Sequence, residues 1–247
     1  MKQFKFLQTL TLSVSMAFLL FSCGSGDEKK TEATTTDSTK VDSTTMKVPE
    51  PAPVAKLSDV LIIKHKVANY TKWKPGYDSD DSSRRANGLT NFIIGRGMDD
   101  SNMLVIVLKM DDVNKAKEFG NSPALKEKMQ KAGVIGKPSI SFVHRVMNDS
   151  TPIEQNARLV VTHKVKDWDA WKKVFDSHKS ARMDAGLIDR GVGYSVDDNH
   201  MVTMVFAVTD KKKAEDFLKS KDLKDKMAAG GVVGQPTFFW YNIVQKY

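Results

Sequence analysis

Ile63-Lys64-His65-Lys66-Val67 and Val161-Thr162-His163-Lys164-Val165 are one segment written twice, at an offset of 98 positions from His65 to His163. Holding that offset without a gap pairs Trp73 with Trp171, Arg84 with Arg182 and Gly88-Leu89 with Gly186-Leu187. It goes on to pair Gly95 with Gly193, Asp99-Asp100 with Asp197-Asp198, Phe119 with Phe217, and Met129 with Met227. It ends on Gly133-Val134-Ile135-Gly136-Lys137-Pro138 against Gly231-Val232-Val233-Gly234-Gln235-Pro236. Chance does not hold register over such a span, so the chain contains an internal duplication.

Each copy reads strand, helix, strand, strand, helix, strand. Leu159, Val161, His163 and Val165 alternate with more polar neighbours, the period of a half-buried strand. Asp167 then reads as a helix N-cap, with Trp168, Trp171, Phe175 and Arg182 at helical spacing until Gly186 stops the helix. Gly191 to Val196 and Met201 to Val208 flank an Asp197-Asp198-Asn199 turn and read as a hairpin. Asp210 starts a second helix carrying Ala214, Phe217, Leu218, Leu223 and Met227, which Gly230-Gly231 ends. A last strand, Thr237 to Val244, follows Pro236. The first copy repeats this plan from Val60 to Val146 with Asn69 and Asp112 as caps, and Lys74-Pro75-Gly76 predicts a kink or restart in its first helix. The fold class is α+β, with two tandem ferredoxin-like βαββαβ repeats. Each sheet has one face left open by its helices, and two such faces covering each other give a single intramolecular α/β barrel.

Upstream of the repeats the composition changes. Lys2 and Lys5 precede an apolar run from Phe6 to Phe21, too short for a spanning helix and arranged like a secretory signal. The run ends in Leu20-Phe21-Ser22-Cys23-Gly24, which resembles the bacterial lipobox. That resemblance implies cleavage before Cys23 and lipidation of its thiol, with the acyl chains anchoring the protein to a membrane. Gly24 stands where an inner-membrane retention signal would have Asp, so an outer-membrane, periplasm-facing location is expected. From Gly24 to about Leu57 the residues are Thr, Ser, Lys, Glu, Pro and Ala, a composition that cannot form a core. The expected organisation is a signal peptide at 1–22, a lipidated tether at 23–57, and repeats at 58–147 and 157–247.

Cys23 is the only cysteine, which excludes disulfides, thiolate metal sites and cysteine nucleophiles from the folded part. The formal net charge of +8 is carried by lysines interleaved with acids, as in Lys211-Lys212-Lys213-Ala214-Glu215-Asp216. That is the pattern of solvated helix faces, so no nucleic-acid partner is expected. No Ser-His-Asp order, His-x-x-x-His or haem-ligand pattern stands out, and neither a metal nor a cofactor is expected.

The repeats resemble the dimeric α/β-barrel superfamily, which includes the antibiotic-biosynthesis monooxygenase-like domains. The likeness rests on a first strand ending His-Lys-Val, Trp-Lys early in the first helix, Arg before Gly-Leu, the Asp-Asp hairpin, and Gly-Val-x-Gly-x-Pro. It implies the barrel, but it spans oxygenases, haem-degrading enzymes and isomerases, and so implies no single activity.

His65 and His163 share a face with apolar neighbours, as hydrogen-bonded core histidines or as ligand contacts or general bases. His178 and Arg182 lie on the Trp171/Phe175 side of their helix, where Arg182 either caps a carbonyl or pairs with Asp176 or Asp184, or else binds an anion. The first copy has Arg84 and, in place of His178, Asp80. The second copy is therefore expected to hold the better anion cleft, with His163, His178 and Arg182 converging in it. The Asp-Asp pairs read as turn formers, and the Gly-Val-x-Gly-x-Pro segment as a helix C-cap and turn. The function expected is binding of a small, partly apolar ligand, with an anionic group as one option. The alternatives are a cofactor-independent monooxygenase-like enzyme with His163 as base, and a structural or partner-binding lipoprotein with side-chain-filled clefts.

Overall fold

A computed structural model describes residues 57–247; the signal segment, Cys23 and the tether up to residue 56 lie outside the described residues. The first unit runs β1 (Asp59–Val67), α1 (Tyr70–Ser79), α2 (Asp81–Ala86), β2 (Leu89–Gly97), β3 (Met103–Met110), α3 (Val113–Asn121), α4 (Pro123–Lys131) and β4 (Val134–Asn148). The second repeats it as β5 (Ala157–Val165), α5 (Trp168–Ser177), α6 (Lys179–Asp184), β6 (Leu187–Ser195), β7 (Asp198–Val208), α7 (Lys211–Lys219), α8 (Lys221–Ala229) and β8 (Val232–Lys246). Among the described residues no helix is long and apolar enough to cross a membrane.

All eight strands close into one antiparallel barrel, ordered β1-β3-β2-β8-β5-β7-β6-β4. Within each unit the order is the ferredoxin-like one. Two seams join the units: β2 pairs with β8 from Ile93↔Lys246 to Gly97↔Tyr241, and β4 with β6 from Val143↔Ser195 to Asn148↔Gly191. The last strand of each unit extends well past its own sheet to make a seam, which is why β4 and β8 are 15 residues long. Closure leaves no free strand edge.

The strand sequences are apolar on both faces because both are buried. Along β1, Leu61, Ile63 and Val67 face the helices and pack with Trp73, Phe119 and Leu125, while Val60 and Ile62 face the barrel interior. That interior is filled by Val60, Ile62, Val105, Val143, Val160, Tyr241 and Ile243. Leu159, Val161 and Val165 make the matching outer core of the second unit with Trp171, Phe175 and Phe206.

The helices are more broken than their periodicity predicts. Each expected helix is two short ones, interrupted at Asp80 and His178, and at Ser122 and Ser220. Ser122 and Ser220 end one helix and cap the next, their hydroxyls accepting from the amides of Leu125 and Leu223 at 3.1 Å each. Pro75 does not break its helix: α1 runs through it to Ser79, and the break at Asp80 recurs at His178, in a helix without proline.

The Gly-Val-x-Gly-x-Pro segment also departs from its reading as a turn. Gly133 and Gly231 do end helices, with φ of 80° and 68°. The rest belongs to β4 and β8 and forms bulges: Lys64 pairs with Ser139 and Lys66 with Ile135, so residues 136–138 loop out opposite His65. Residues 234–236 do the same opposite His163. Proline, which cannot donate to a ladder, sits where the ladder is interrupted.

Candidate functional site

Each histidine of the duplicated segment stands in a strand, faces the helices and lacks its ladder partner on one side. His65 and His163 are buried and pack edge-on to Trp73 and Trp171, with ring centroids 5.7 Å apart in each unit. No ring nitrogen of either has a hydrogen-bond partner among the described residues. The hydrogen-bonded core histidine expected on structural grounds is therefore absent at both positions. Burial pushes both imidazoles down to about 4, so they are neutral near pH 7.

In the second unit His163, His178 and Arg182 line one cavity between β5 and the helices, together with Trp171, Phe175 and Phe217. Arg182 is fully engaged. Its Nε and Nη2 donate to the two carboxylate oxygens of Asp189 at 2.9 and 2.7 Å, and its Nη1 to the carbonyl of Phe175 at 2.6 Å. The guanidinium also stacks 3.6 Å above the Phe175 ring. Asp189 on β6, rather than Asp176 or Asp184, is the partner, because the side chain turns back onto the sheet. His178 Nε2 lies 2.6 Å from Asp222 Oδ2. Of the three groups expected to hold an anion, His178 and Arg182 are thus each matched by a carboxylate of the protein, and His163 is not.

The first unit differs at the decisive places. Asn91 stands where the second unit has Asp189, and Tyr77 where it has Phe175. Arg84 Nε donates to Asn91 Oδ1 at 3.1 Å, and its guanidinium lies 3.9 Å from the Tyr77 ring. Tyr77 donates its hydroxyl to the same oxygen at 2.6 Å, and Asn91 Nδ2 donates to Asp81 at 2.7 Å. Arg84 Nη2 has no hydrogen-bond partner among the described residues, although the side chain is only 4% exposed. Asp81 Oδ1 stands 3.6 Å from it, close enough to attract but too far to accept well. A buried guanidinium held by a neutral amide instead of a bidentate carboxylate keeps unspent donor capacity.

Space follows the same asymmetry. The cavity lined by His65, Trp73, Tyr77, Asp80, Arg84 and Lys128 holds about 380 Å³, against about 80 Å³ in the second unit. Gly76 replaces Val174 and Asp80 replaces His178, so two side chains that line the second cavity are smaller in the first. A Cβ built on Gly76 would meet nothing within 4 Å. Asp80 is drawn into an ion pair with Lys128 at the rim.

Tyr77, Asn91, Asp189 and Asp222 were not singled out from the sequence. The signal was present in the offset: Asn against Asp at 91 and 189, and Tyr against Phe at 77 and 175, mark where the copies part company.

This is the dimeric α/β-barrel fold, with both halves supplied by one polypeptide. The chain matches no described family in sequence, and no curated protein matches it. A provisionally assigned monooxygenase of Fusobacterium nucleatum superposes with a TM-score of 0.51 at 10% identity, over 78% of this chain and 94% of that one. A provisionally assigned chlorite dismutase gives 0.50 at 14% identity, over 76% of this chain and 96% of that one. These likenesses are of fold alone.

Proposed function

We propose that this protein is an envelope lipoprotein whose first-unit cavity binds a small, partly apolar molecule carrying an anionic or strongly hydrogen-bond-accepting group. The observation that carries the reading is Arg84 Nη2, a buried cationic donor with no hydrogen-bond partner among the described residues and its nearest carboxylate, Asp81, 3.6 Å away, on the wall of a cavity of about 380 Å³. Leaving such a donor unsatisfied costs about 1–3 kcal/mol, which a bound acceptor would recover. Trp73, Ile106 and Leu108 supply the apolar wall, and at the rim Lys128 is paired with Asp80. The same comparison turns the expected preference around, since the second unit's arginine and histidine are both paired with carboxylates.

A general-base role is less well supported. An imidazole held near 4 is mostly unprotonated at neutral pH but is a poor proton acceptor there, since base catalysis works best with a pKa near the working pH. Binding is the better use of these groups.

The ligand reading is tested by native mass spectrometry of the full chain purified from its own envelope. A retained small molecule is expected, and Gly76→Val, which supplies the side chain that Val174 provides in the second unit, should lose it, as should Arg84→Leu. A bare protein mass for the parent, or a ligand that survives both substitutions, would sink the proposal.

Envelope attachment through Cys23 is supported by the charged start, the short apolar run and the lipobox-like Leu20-Phe21-Ser22-Cys23. An outer-membrane, periplasm-facing position is supported by Gly24. Cys23→Ala should abolish incorporation of a palmitate analogue and leave the precursor unprocessed. Labelling that persists in this variant would end the lipoprotein reading.

A further inference from the structure

At one end of the barrel the inward-facing residues stop being apolar. Arg158 lies on β5 two positions before Val160, on the strand face that packs the barrel interior, and is 5% exposed. The equivalent residue of the first unit is Val60, a buried member of the interior core, so the fold itself requires no charge at this place. Arg158 Nη1 donates to the carbonyls of Gln155 and Ala157 at 2.7 and 2.9 Å. Among the described residues no carboxylate lies within ion-pair distance of it, although a buried charge left without a counter-charge is strongly disfavoured.

Around Arg158 is a cavity of about 260 Å³ that also takes in Arg145, Arg190 and Lys246. Arg190 is neutralised, its Nη1 donating to Asp149 at 3.0 Å and its Nη2 to the carbonyl of Thr151 at 2.7 Å, which ties the segment between the units across the barrel end. Arg145 is held by neutral acceptors, its Nε donating to the Ser58 carbonyl and its Nη1 to Asn148 Oδ1 at 2.9 Å. Among the described residues Asp149 supplies the one acidic side chain lining the cavity, and it is already paired with Arg190. Below the cations the wall is apolar, formed by Ile93, Val107, Val205 and Ile243, with the buried Tyr241 beside them.

We propose that this barrel mouth is a second ligand site, which takes an organic carboxylate with its charged head on Arg158 and its apolar tail against Ile93, Val107, Val205 and Ile243. The charge excess selects an anion, the planar guanidinium suits a carboxylate, and the apolar wall separates such a molecule from a bare inorganic ion. Burial pushes the Arg158 guanidinium down, Tyr241 opposes this and the charge of Arg190 adds to it; a carboxylate counter-ion would act in the opposite direction by its charge. The site is independent of the cavity at Arg84, from which it is separated by the sheet.

Octanoate is a suitable probe, followed by isothermal titration calorimetry on the full chain, with octanol and inorganic phosphate as comparators. Octanoate is also of the class that the Arg84 cavity would take, so the mouth is read throughout in the Gly76→Val background, where octanoate should still bind and both octanol and phosphate should bind at least about tenfold more weakly. Arg158→Val, which installs the residue found at the equivalent place in the first unit, should weaken octanoate at least about tenfold. Val205→Phe, which leaves every charge in place and fills the mouth, should have the same effect and serves if Arg158→Val fails to fold. The proposal is overturned if Gly76→Val does not bind octanoate, if octanol or phosphate equals it there, or if adding a folded Arg158→Val or Val205→Phe to Gly76→Val leaves octanoate binding unchanged.

Discussion

Acidification from about pH 7 to about pH 4.5 should remove roughly 5 kcal/mol from the folding free energy, and the loss should trace to His65 and His163. Both imidazoles are held near 4 in the folded protein by burial, against an ordinary value of 6.5. The unfolded chain therefore takes up a proton at each site as the pH falls through 6.5, while the folded chain does not. Stability from this source is complete above 6.5 and declines between 6.5 and about 4. At 1.36 kcal/mol per pKa unit each site contributes about 2 to 3 kcal/mol at the lower pH. That is a large share of the 5–15 kcal/mol typical of a folded domain. Urea denaturation across this range should show the fall in the parent and a nearly flat profile in His65→Leu/His163→Leu, which keeps an apolar side chain at both places. A double variant as acid-sensitive as the parent would show that other groups carry the effect.

Gly193→Ala should be among the most damaging small substitutions in the chain. A Cβ at Gly193 would lie 2.2 Å from the carbonyl oxygen of His144 and 2.9 Å from Val143 Cγ1, across the β4–β6 seam. The obstructing atom is backbone, so relief requires the two strands to separate where the units are joined. Overpacking of this kind costs about 1–3 kcal/mol or more, and opening a seam puts the cost at the upper end. Gly191→Ala in the same strand is the control, since its Cβ would meet nothing closer than 3.7 Å. The urea midpoint should fall sharply for the first variant and hardly move for the second. A Gly193→Ala protein within about 0.5 kcal/mol of the parent would remove the seam from the list of stability determinants.

The duplication and the element order were legible because strand and helix periods survive in both copies at a constant offset. Asn69, Asp112, Asp167 and Asp210 announced their helices, and each accepts a backbone amide as an N-cap should. The serine junctions were also written in the chain, Ser122-Pro123 above all, but an apolar stripe that continues through a break hides it. The bulges opposite His65 and His163 were harder to read, because Gly-x-Pro has the same local chemistry in a turn as in an interrupted ladder; the partner strand decides. The site residues were legible as residues and not as an arrangement. Arg84 and Arg182 look identical along the chain. What separates them is Asn91 against Asp189, seven positions downstream on the next strand, and that pairing exists only once the helix is laid on the sheet.

Placing both halves of the barrel in one polypeptide also sets the order of events during synthesis. When the first unit has been made, β2 and β4 have no covering strand, because their partners β8 and β6 belong to the second unit. The edge of β2 stays bare until Val232–Lys246, the final strand, has emerged. Contacts between such distant segments form slowly, and an uncovered edge accepts any strand that fits. The best-fitting stranger is the second unit of another copy of the same chain. Crowded, half-finished molecules can therefore trade halves and close two barrels between two polypeptides, a product that is fully folded yet wrongly partnered.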